Sequence, residues 1–135
     1  MPSPLEITNT MMQFDYFSQW LGINVVESVE GRAVLKMTVR KEMLNGFGIA
    51  HGGITYSLAD SALAFASNSH GQKSVSVETS ISHTQSLKEG DIIVATAREE
   101  HRSNKIAIYS VQITCSDKVV ALFKGTVYRT SKMWE

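Results

Sequence analysis

The stretch of thirty residues from Met43 to Gln72 carries one formally charged side chain, that of Asp60. The surrounding residues have the spacing of an apolar helix, and Asp60 lies eight residues after Gly52, the first of two consecutive glycines. Burying a lone carboxylate costs several kcal/mol unless the group is paired or takes part in chemistry. Asp60 is therefore the first candidate for a functional residue, in a segment that otherwise predicts the interior of the fold.

Length, charge and cysteine content limit the class of protein. The chain has 135 residues and a formal net charge of zero, which fits one domain over residues 1–135 and favours neither nucleic acid nor an anionic membrane surface. Cys115 is the only cysteine, so an internal disulfide is excluded and a reducing cytoplasm is the expected setting. No signal peptide or apolar run of transmembrane length is seen. We expect a cytoplasmic domain without a nucleic-acid or membrane partner.

Hydrophobic periodicity predicts six strands and two helices. Apolar residues at helical spacing, among them Ile54, Leu58 and Phe65, predict a helix that is buried nearly all round. Alternating segments joined by short turns predict antiparallel strands. The predicted elements are a helix from residue 9 or 10 to residue 20, strands over 23–28 and 32–40, a helix over 53–68, and strands over 75–82, 92–100, 106–114 and 119–128. Together they predict an α+β fold in which a curved sheet wraps around the long helix.

The glycines before this helix indicate a site for a carbonyl oxygen. The first N–H groups of a helix have no partner and lie at the positive end of its dipole, and glycine lets a ligand approach them closely. Gly52 N–H thus suits a carbonyl that gains negative charge, while Asp60 suits a nucleophile or a general base. Eight residues of helix separate the two by about 12 Å. If they act together, a two-fold dimer with antiparallel helices must bring Gly52 of one chain to Asp60 of the other.

Three short motifs in this region match a known family. They are Asn45, the His-Gly-Gly sequence at residues 51–53 and the Leu-Ala-Asp sequence at residues 58–60. With them the chain resembles the hotdog-fold acyl-CoA thioesterases, in particular the phenylacetate-degradation (PaaI-like) subfamily, over nearly its whole length. The resemblance implies a hotdog fold, hydrolysis of an acyl-CoA or aryl-CoA to the free acid and CoA, and a homodimer with antiparallel helices. The very apolar N-terminal helix predicts further association into a dimer of dimers.

The resemblance also implies a role for each matching residue. Asp60 matches the catalytic carboxylate, which acts as nucleophile or as base on a water. Gly52 matches the glycine whose N–H polarises the thioester carbonyl, Asn45 the asparagine that helps to place the water or the thioester, and His51 a supporting histidine. Ser76 matches a serine that some relatives use to orient water.

Plainer roles compete with these assignments. The alternative for Asp60 is a structural hydrogen bond to a nearby hydroxyl, that of Tyr56, Ser57 or Ser61. His51 alone is more typical of a turn or core histidine than of a catalytic one. An ordinary helix-entry turn is the alternative for the two glycines.

Side chains near the motif are candidates for the substrate pocket. Phe47 and Tyr56 are expected to line an acyl or aryl pocket, with core packing as the alternative. Gly53 either contacts the substrate or allows close packing at the helix start. The four histidines show no metal-ligand spacing, so no metal is predicted. No cofactor is predicted either, because CoA is part of the substrate.

Two other functions are alternatives on the same fold. A hydratase or dehydratase would use a histidine or a differently placed acid as its base, which fits Asp60 less well. A non-catalytic acyl-CoA-binding sensor would carry an added DNA-binding segment, for which 135 residues without net charge leave no room. The sequence therefore predicts an acyl-CoA thioesterase.

Overall fold

The computed structural model describes all 135 residues. The helices are α1 (Pro4–Phe14), α2 (Tyr16–Leu21) and α3 (Gly52–Asn68), and a 3₁₀ turn covers Lys41–Met43. The strands are β1 (Asn24–Val29), β2 (Arg32–Thr38), β3 (Gln72–His83), β4 (Ile92–Arg102), β5 (Ile106–Cys115) and β6 (Lys118–Met133). They form one antiparallel sheet in the order β1-β2-β4-β5-β6-β3, with α3 packed against it. The predicted α+β arrangement of six strands and one central helix is confirmed.

The central helix α3 is buried because most of its surface is apolar. Leu58, Leu63 and Phe65 are no more than 1% exposed, and the alanines between and beside them are mostly buried. Small side chains let the helix lie close to the strands, while the large ones fill the space between helix and sheet. The charge-poor segment thus forms the interior of the fold, as its composition predicts.

One face of α3 is not covered by the rest of the chain. Gly53, Ser57, Asp60 and Ala64 follow one another at intervals of three or four residues, which places them on one side of the helix. All four are exposed or half-buried, and we call them the open stripe. The isolated carboxylate therefore lies on the side of the buried helix that stays accessible.

The N-terminal region differs from its prediction. The prediction of one helix beginning at residue 9 or 10 is wrong, because α1 starts earlier, at a capping box. Ser3 Oγ accepts the Glu6 N–H at 3.2 Å, and the Glu6 carboxylate accepts the Ser3 N–H at 2.9 Å. Asp15 then ends α1 and caps α2 by accepting the Ser18 N–H at 2.9 Å. Gly22 ends α2 with a φ of 74°, at the predicted position.

The strands agree with prediction except at their ends. β1 and β2 form the predicted hairpin, and β4, β5 and β6 follow one another as the short turns predict. β6 continues to Met133, beyond the predicted end at Tyr128, because its last residues pair with the start of β3. β3 pairs with β6 alone, so its other edge is free. No helix combines the length and the hydropathy needed to cross a membrane.

Gly125 in β6 packs directly against Leu63 of α3. A Cβ atom on Gly125 would lie 2.5 Å from Cδ2 of Leu63, a side chain that is 1% exposed and enclosed by the core. We expect Gly125→Ala to lower the free energy of unfolding by about 1–3 kcal/mol, measured by urea denaturation. Gly46→Ala is the control, since a Cβ there meets nothing within 4 Å. Equal stability of the two variants would contradict this close approach.

Candidate active site

The start of α3 leaves one backbone donor free. His51 caps the helix, because its Nδ1 accepts the Gly53 N–H at 2.8 Å and its carbonyl oxygen accepts the Ile54 N–H at 2.9 Å. Gly52 N–H has no acceptor in the chain. It lies at the positive end of the helix dipole. This N–H is therefore available to the carbonyl oxygen of a ligand.

Asn45 adds a second donor beside Gly52. Its Oδ1 accepts the Phe47 N–H at 2.9 Å and the Ile49 N–H at 3.4 Å, which shapes the loop before α3. The Nδ2 group is then left as a donor. Asn45 and Gly52 line one cleft of about 360 Å³, which we call the polar cleft. Its lining includes Asn45, Gly52, Thr55, His83, Gln85 and Ser86.

Asp60 lies on the open stripe without a partner. Its carboxylate is half-buried, and no hydrogen bond or ion pair within the chain compensates its charge. Burial raises the pKa of this carboxyl above its ordinary value, and the negative charge of Asp15 raises it further. The raised pKa makes this accessible carboxylate a stronger base than an ordinary aspartate, which suits it to accept a proton from a ligand or water.

The hydrogen bond that would give Asp60 a purely structural role is absent. Ser61 Oγ lies 2.8 Å from Ser18 Oγ on α2. Tyr56 OH forms its hydrogen bond with Thr79 Oγ1 on β3. Both hydroxyls therefore hold neighbouring elements against α3, and the carboxylate is left for a ligand or a partner.

A second cleft, the apolar groove, lies between α2 and the first half of α3. Its volume is about 310 Å³, and its lining includes Phe17, Trp20, Met43, His51, Gly53 and Ser57. The rings of Phe17 and Trp20 stack with their centroids 6.1 Å apart, and the Arg40 guanidinium lies 4.9 Å from the centroid of the Trp20 ring. Because Gly53 and Ser57 belong to the open stripe, the groove runs beside the face that carries Asp60.

The fold brings some of the predicted residues together and separates others. Asn45 and Gly52 share the polar cleft, whereas His51 and Gly53 line the apolar groove. Asp60 is on α3 about 12 Å from Gly52, by the rise of the helix. Neither the polar cleft nor the apolar groove contains both groups.

The other three predicted residues line neither cleft. Phe47 is 91% exposed at the tip of the loop before α3. Tyr56 is tied to β3 through its hydroxyl. Ser76 is exposed on β3 opposite the buried Val127, which places it on the helix-facing side of the sheet. No group of three His, Cys, Asp or Glu side chains is arranged to hold a metal ion.

The sequence does not predict the places of His83, Thr55 and Asp15. His83 Nε2 lies 2.5 Å from Thr55 Oγ1, which donates to the Gly52 carbonyl oxygen at 3.0 Å. A Cβ atom on Gly52 would lie 3.3 Å from His83 Cε1, so the imidazole packs on this glycine. No local spacing joins these residues, and the charge of Asp15 reaches Asp60 only through the fold.

Comparison with known proteins identifies the family. Residues 47–122, more than half of the chain, match the model of the thioesterase superfamily. The chain is 41% identical over 127 residues to a putative esterase of Archaeoglobus fulgidus, covering 93% of this chain and 82% of the relative. It is 38% identical over 122 residues to the acyl-coenzyme A thioesterase PaaI of Escherichia coli K12, covering 90% of this chain and 87% of that relative.

Solved structures agree with this result. The E. coli PaaI protein from the phenylacetic acid degradation operon superposes with a TM-score of 0.94 at 35% identity, over 96% of this chain and 95% of that one. A Streptococcus mutans UA159 protein bound to acetyl-CoA superposes with a TM-score of 0.80 at 27% identity, over 83% and 91% of the two chains. The chain therefore belongs to the thioesterase superfamily and is a thioester hydrolase with the hotdog fold, similar to PaaI.

Proposed function

We propose that the protein is an acyl-CoA thioesterase, which hydrolyses an acyl-CoA or aryl-CoA to the free acid and CoA. The observation that carries this proposal is Asp60, a half-buried carboxylate without a partner in a helix that is otherwise apolar. Such a group costs stability unless it is used. The name of the PaaI relative and the acetyl-CoA bound to the S. mutans relative support CoA thioesters as the substrate class.

In the proposed reaction, the polar cleft holds the thioester carbonyl. Gly52 N–H and Asn45 Nδ2 donate to its oxygen and stabilise the negative charge that develops when the carbon is attacked. Asp60 supplies the attack, either by adding its carboxylate to the carbon or by removing a proton from the water that adds. His51 supports the site by capping α3 and so positioning Gly52. The reaction needs water and these groups, and no metal or redox cofactor.

The two central groups must then come from different chains. Asp60 and Gly52 are about 12 Å apart along one helix, whereas both must contact the same thioester within about 3–3.5 Å of its reacting atoms. A two-fold axis beside α3 would place Asp60 of one chain near Gly52 of the other and create two identical sites. The open stripe is the surface of α3 that this contact would cover.

The free edge of the sheet supports the same dimer. β3 has twelve residues, and its Val75 and Val77 are 57% and 61% exposed. A long exposed edge favours pairing with another strand, and a two-fold dimer supplies a second β3. Ser76, on the helix-facing side, would then lie next to the partner's α3, where a hydroxyl can orient water. A dimer of dimers through the exposed aromatic side chains of α1 and α2, such as Phe14, extends this proposal.

Asp60→Asn keeps the size of the side chain and removes its negative charge. We expect the rate of CoA release from an acyl-CoA, followed with a thiol-specific dye, to fall by about 100-fold or more. Asp117→Asn is the control, since Asp117 lies exposed in a turn with a φ of 66°, which asparagine tolerates. A near wild-type rate for purified Asp60→Asn would remove Asp60 from the mechanism.

The same variant should be more stable than the wild type at neutral pH. Because burial raises the folded-state pKa of Asp60 above its ordinary value of 3.8, the native state binds more protons than the unfolded chain between these two values. Wild-type stability therefore falls as the pH rises through that window, and asparagine avoids this loss. Thermal unfolding should show a higher Tm for Asp60→Asn at neutral pH and no difference below the ordinary pKa.

Asp15→Asn tests whether ionisation of Asp60 controls the rate. Asparagine also caps helices, but it removes the negative charge that raises the pKa of Asp60. The acidic limb of kcat/KM against pH should therefore move to lower pH. Glu27→Gln is the control, because that carboxylate pairs with Arg32 at 2.6 Å on the β1–β2 hairpin. An acidic limb that stays in place would show that another group sets it.

Mixed dimers test whether the site is shared between chains. Gly52→Pro removes the N–H donor and suits the first position of a helix, and His51 already has the extended backbone (ψ 137°) that a residue before proline requires. Mixed with Asp60→Ala, each heterodimer has one site with both lesions and one intact site. Random exchange makes about half of the dimers heterodimers, so about a quarter of the wild-type activity should return.

Gly52→Ala is the matched control for the proline. It places the same Cβ atom against His83 but keeps the N–H, so it should retain more activity than Gly52→Pro. Circular dichroism checks that both variants fold. If the subunits demonstrably exchange and no activity returns, the two groups act within one chain.

A further inference from the structure

His83 lies in the polar cleft, and the proposed reaction does not yet use it. Thr55 Oγ1 donates its only proton to the Gly52 carbonyl oxygen at 3.0 Å. In that arrangement the hydroxyl accepts from the Nε2–H of His83, which lies 2.5 Å away. Nδ1 forms no hydrogen bond in the chain. Any proton that this imidazole exchanges with a ligand consequently moves through Nδ1.

The free nitrogen lies close to the carbonyl site. The Cε1 atom, between the two ring nitrogens, would lie 3.3 Å from a Cβ on Gly52, and Nδ1 would lie 3.9 Å from it. His83 and Gly52 both line the polar cleft. A thioester whose oxygen accepts from Gly52 N–H therefore has its reacting atoms within a few ångströms of this imidazole.

The two clefts indicate which arm of the thioester meets His83. The thiol arm of CoA carries amide groups, whereas the acyl arm is apolar. Beyond His83 the polar cleft continues along Thr84, Gln85 and Ser86, which suit the amides. The apolar groove beside the open stripe suits the acyl arm. The sulfur atom, which begins the thiol arm, then lies on the His83 side of the carbonyl carbon.

We propose that His83 is a further catalytic residue, which donates a proton from Nδ1 to the sulfur of the departing CoA. This proposal rests on the proposed thioesterase function. In this step His83 carries a proton on each ring nitrogen. As the carbon–sulfur bond breaks, its electron pair goes to sulfur and the Nδ1 proton follows, leaving neutral His83 with its remaining proton on Nε2 toward Thr55. Water supplies the hydroxyl group of the acid and one proton. That proton returns to His83, and the proton of the hydroxyl group is released when the acid ionises.

The proposal is tested by changing the leaving group. A CoA thiolate is basic and needs a proton, whereas the thiolate of 5-thio-2-nitrobenzoate is weakly basic and leaves without one. In His83→Gln we expect kcat for an acyl-CoA to fall by about 100-fold, and kcat for the same acyl group on the aromatic thiol to fall by less than about 3-fold. Asp60→Asn should lose both activities, because the attack precedes departure of either thiol.

Two further variants complete the test. His101→Gln is the matched control, since the His101 side chain is exposed on β4 and forms no hydrogen bond; it should leave both rates unchanged. Thr55→Val keeps the imidazole but removes the hydrogen bond that holds Nε2. It should therefore reduce turnover of the acyl-CoA more than turnover of the 5-thio-2-nitrobenzoate thioester. It also keeps the proposal testable if His83→Gln fails to fold.

The outcomes separate this proposal from the proposed function. Equal losses on the two substrates in His83→Gln, or no loss on either, would overturn the role of His83 while hydrolysis by the wild type still supports a thioesterase. A wild type that hydrolyses neither thioester would instead overturn the proposed function.

Discussion

Burial of α3 is the constraint on which the rest of the structure depends. A helix satisfies its own interior backbone groups, so it can be enclosed by a sheet, but its first N–H groups need acceptors from elsewhere. His51 supplies them for Gly53 and Ile54 through its side chain and its carbonyl oxygen. The remaining donor, Gly52 N–H, opens into the polar cleft. The packing of the core thus creates the electropositive position at which a carbonyl can be polarised.

The same packing leaves one side of α3 uncovered. The sheet and the N-terminal helices cover most of α3, but the open stripe and the outer edge of β3 face outward. Asp60 belongs to this uncovered surface. Its pKa is raised mainly because burial among apolar neighbours disfavours the charged carboxylate. Association and chemistry would therefore use one surface, which explains why a stability-lowering charge lies where a partner chain is expected.

The proposed mechanism divides the work between helix ends and side chains from distant strands. Backbone and amide groups donate hydrogen bonds to the carbonyl oxygen, and Asp60 acts as nucleophile or base. His83, hydrogen-bonded to Thr55, donates a proton to the leaving sulfur. The oxyanion site and the base have opposite electrostatic requirements. The oxyanion must be surrounded by hydrogen-bond donors, whereas the base must be a partly desolvated carboxylate. Separating them by about two helical turns and combining them across a two-fold axis meets both requirements without placing them side by side on one chain.

The sequence by itself determined the features that depend on local pattern. The apolar period of α3, the alternation of the strands and the isolation of Asp60 follow from side-chain spacing, and the motif at Asn45, Gly52 and Asp60 pointed to the family. The predicted start of α1 was wrong, although the capping box that sets it can be read from the sequence. The Ser3–Glu6 capping box outweighs the weaker caps at residues 9 and 10.

Only the tertiary structure decided which distant residues meet. It placed β3 beside β6 rather than beside a sequence neighbour, and so brought His83 to Gly52 and Thr55. It also set the charge of Asp15 near Asp60. Such contacts depend on strand register and on the packing of elements far apart in the chain, which the spacing of side chains within one element does not encode.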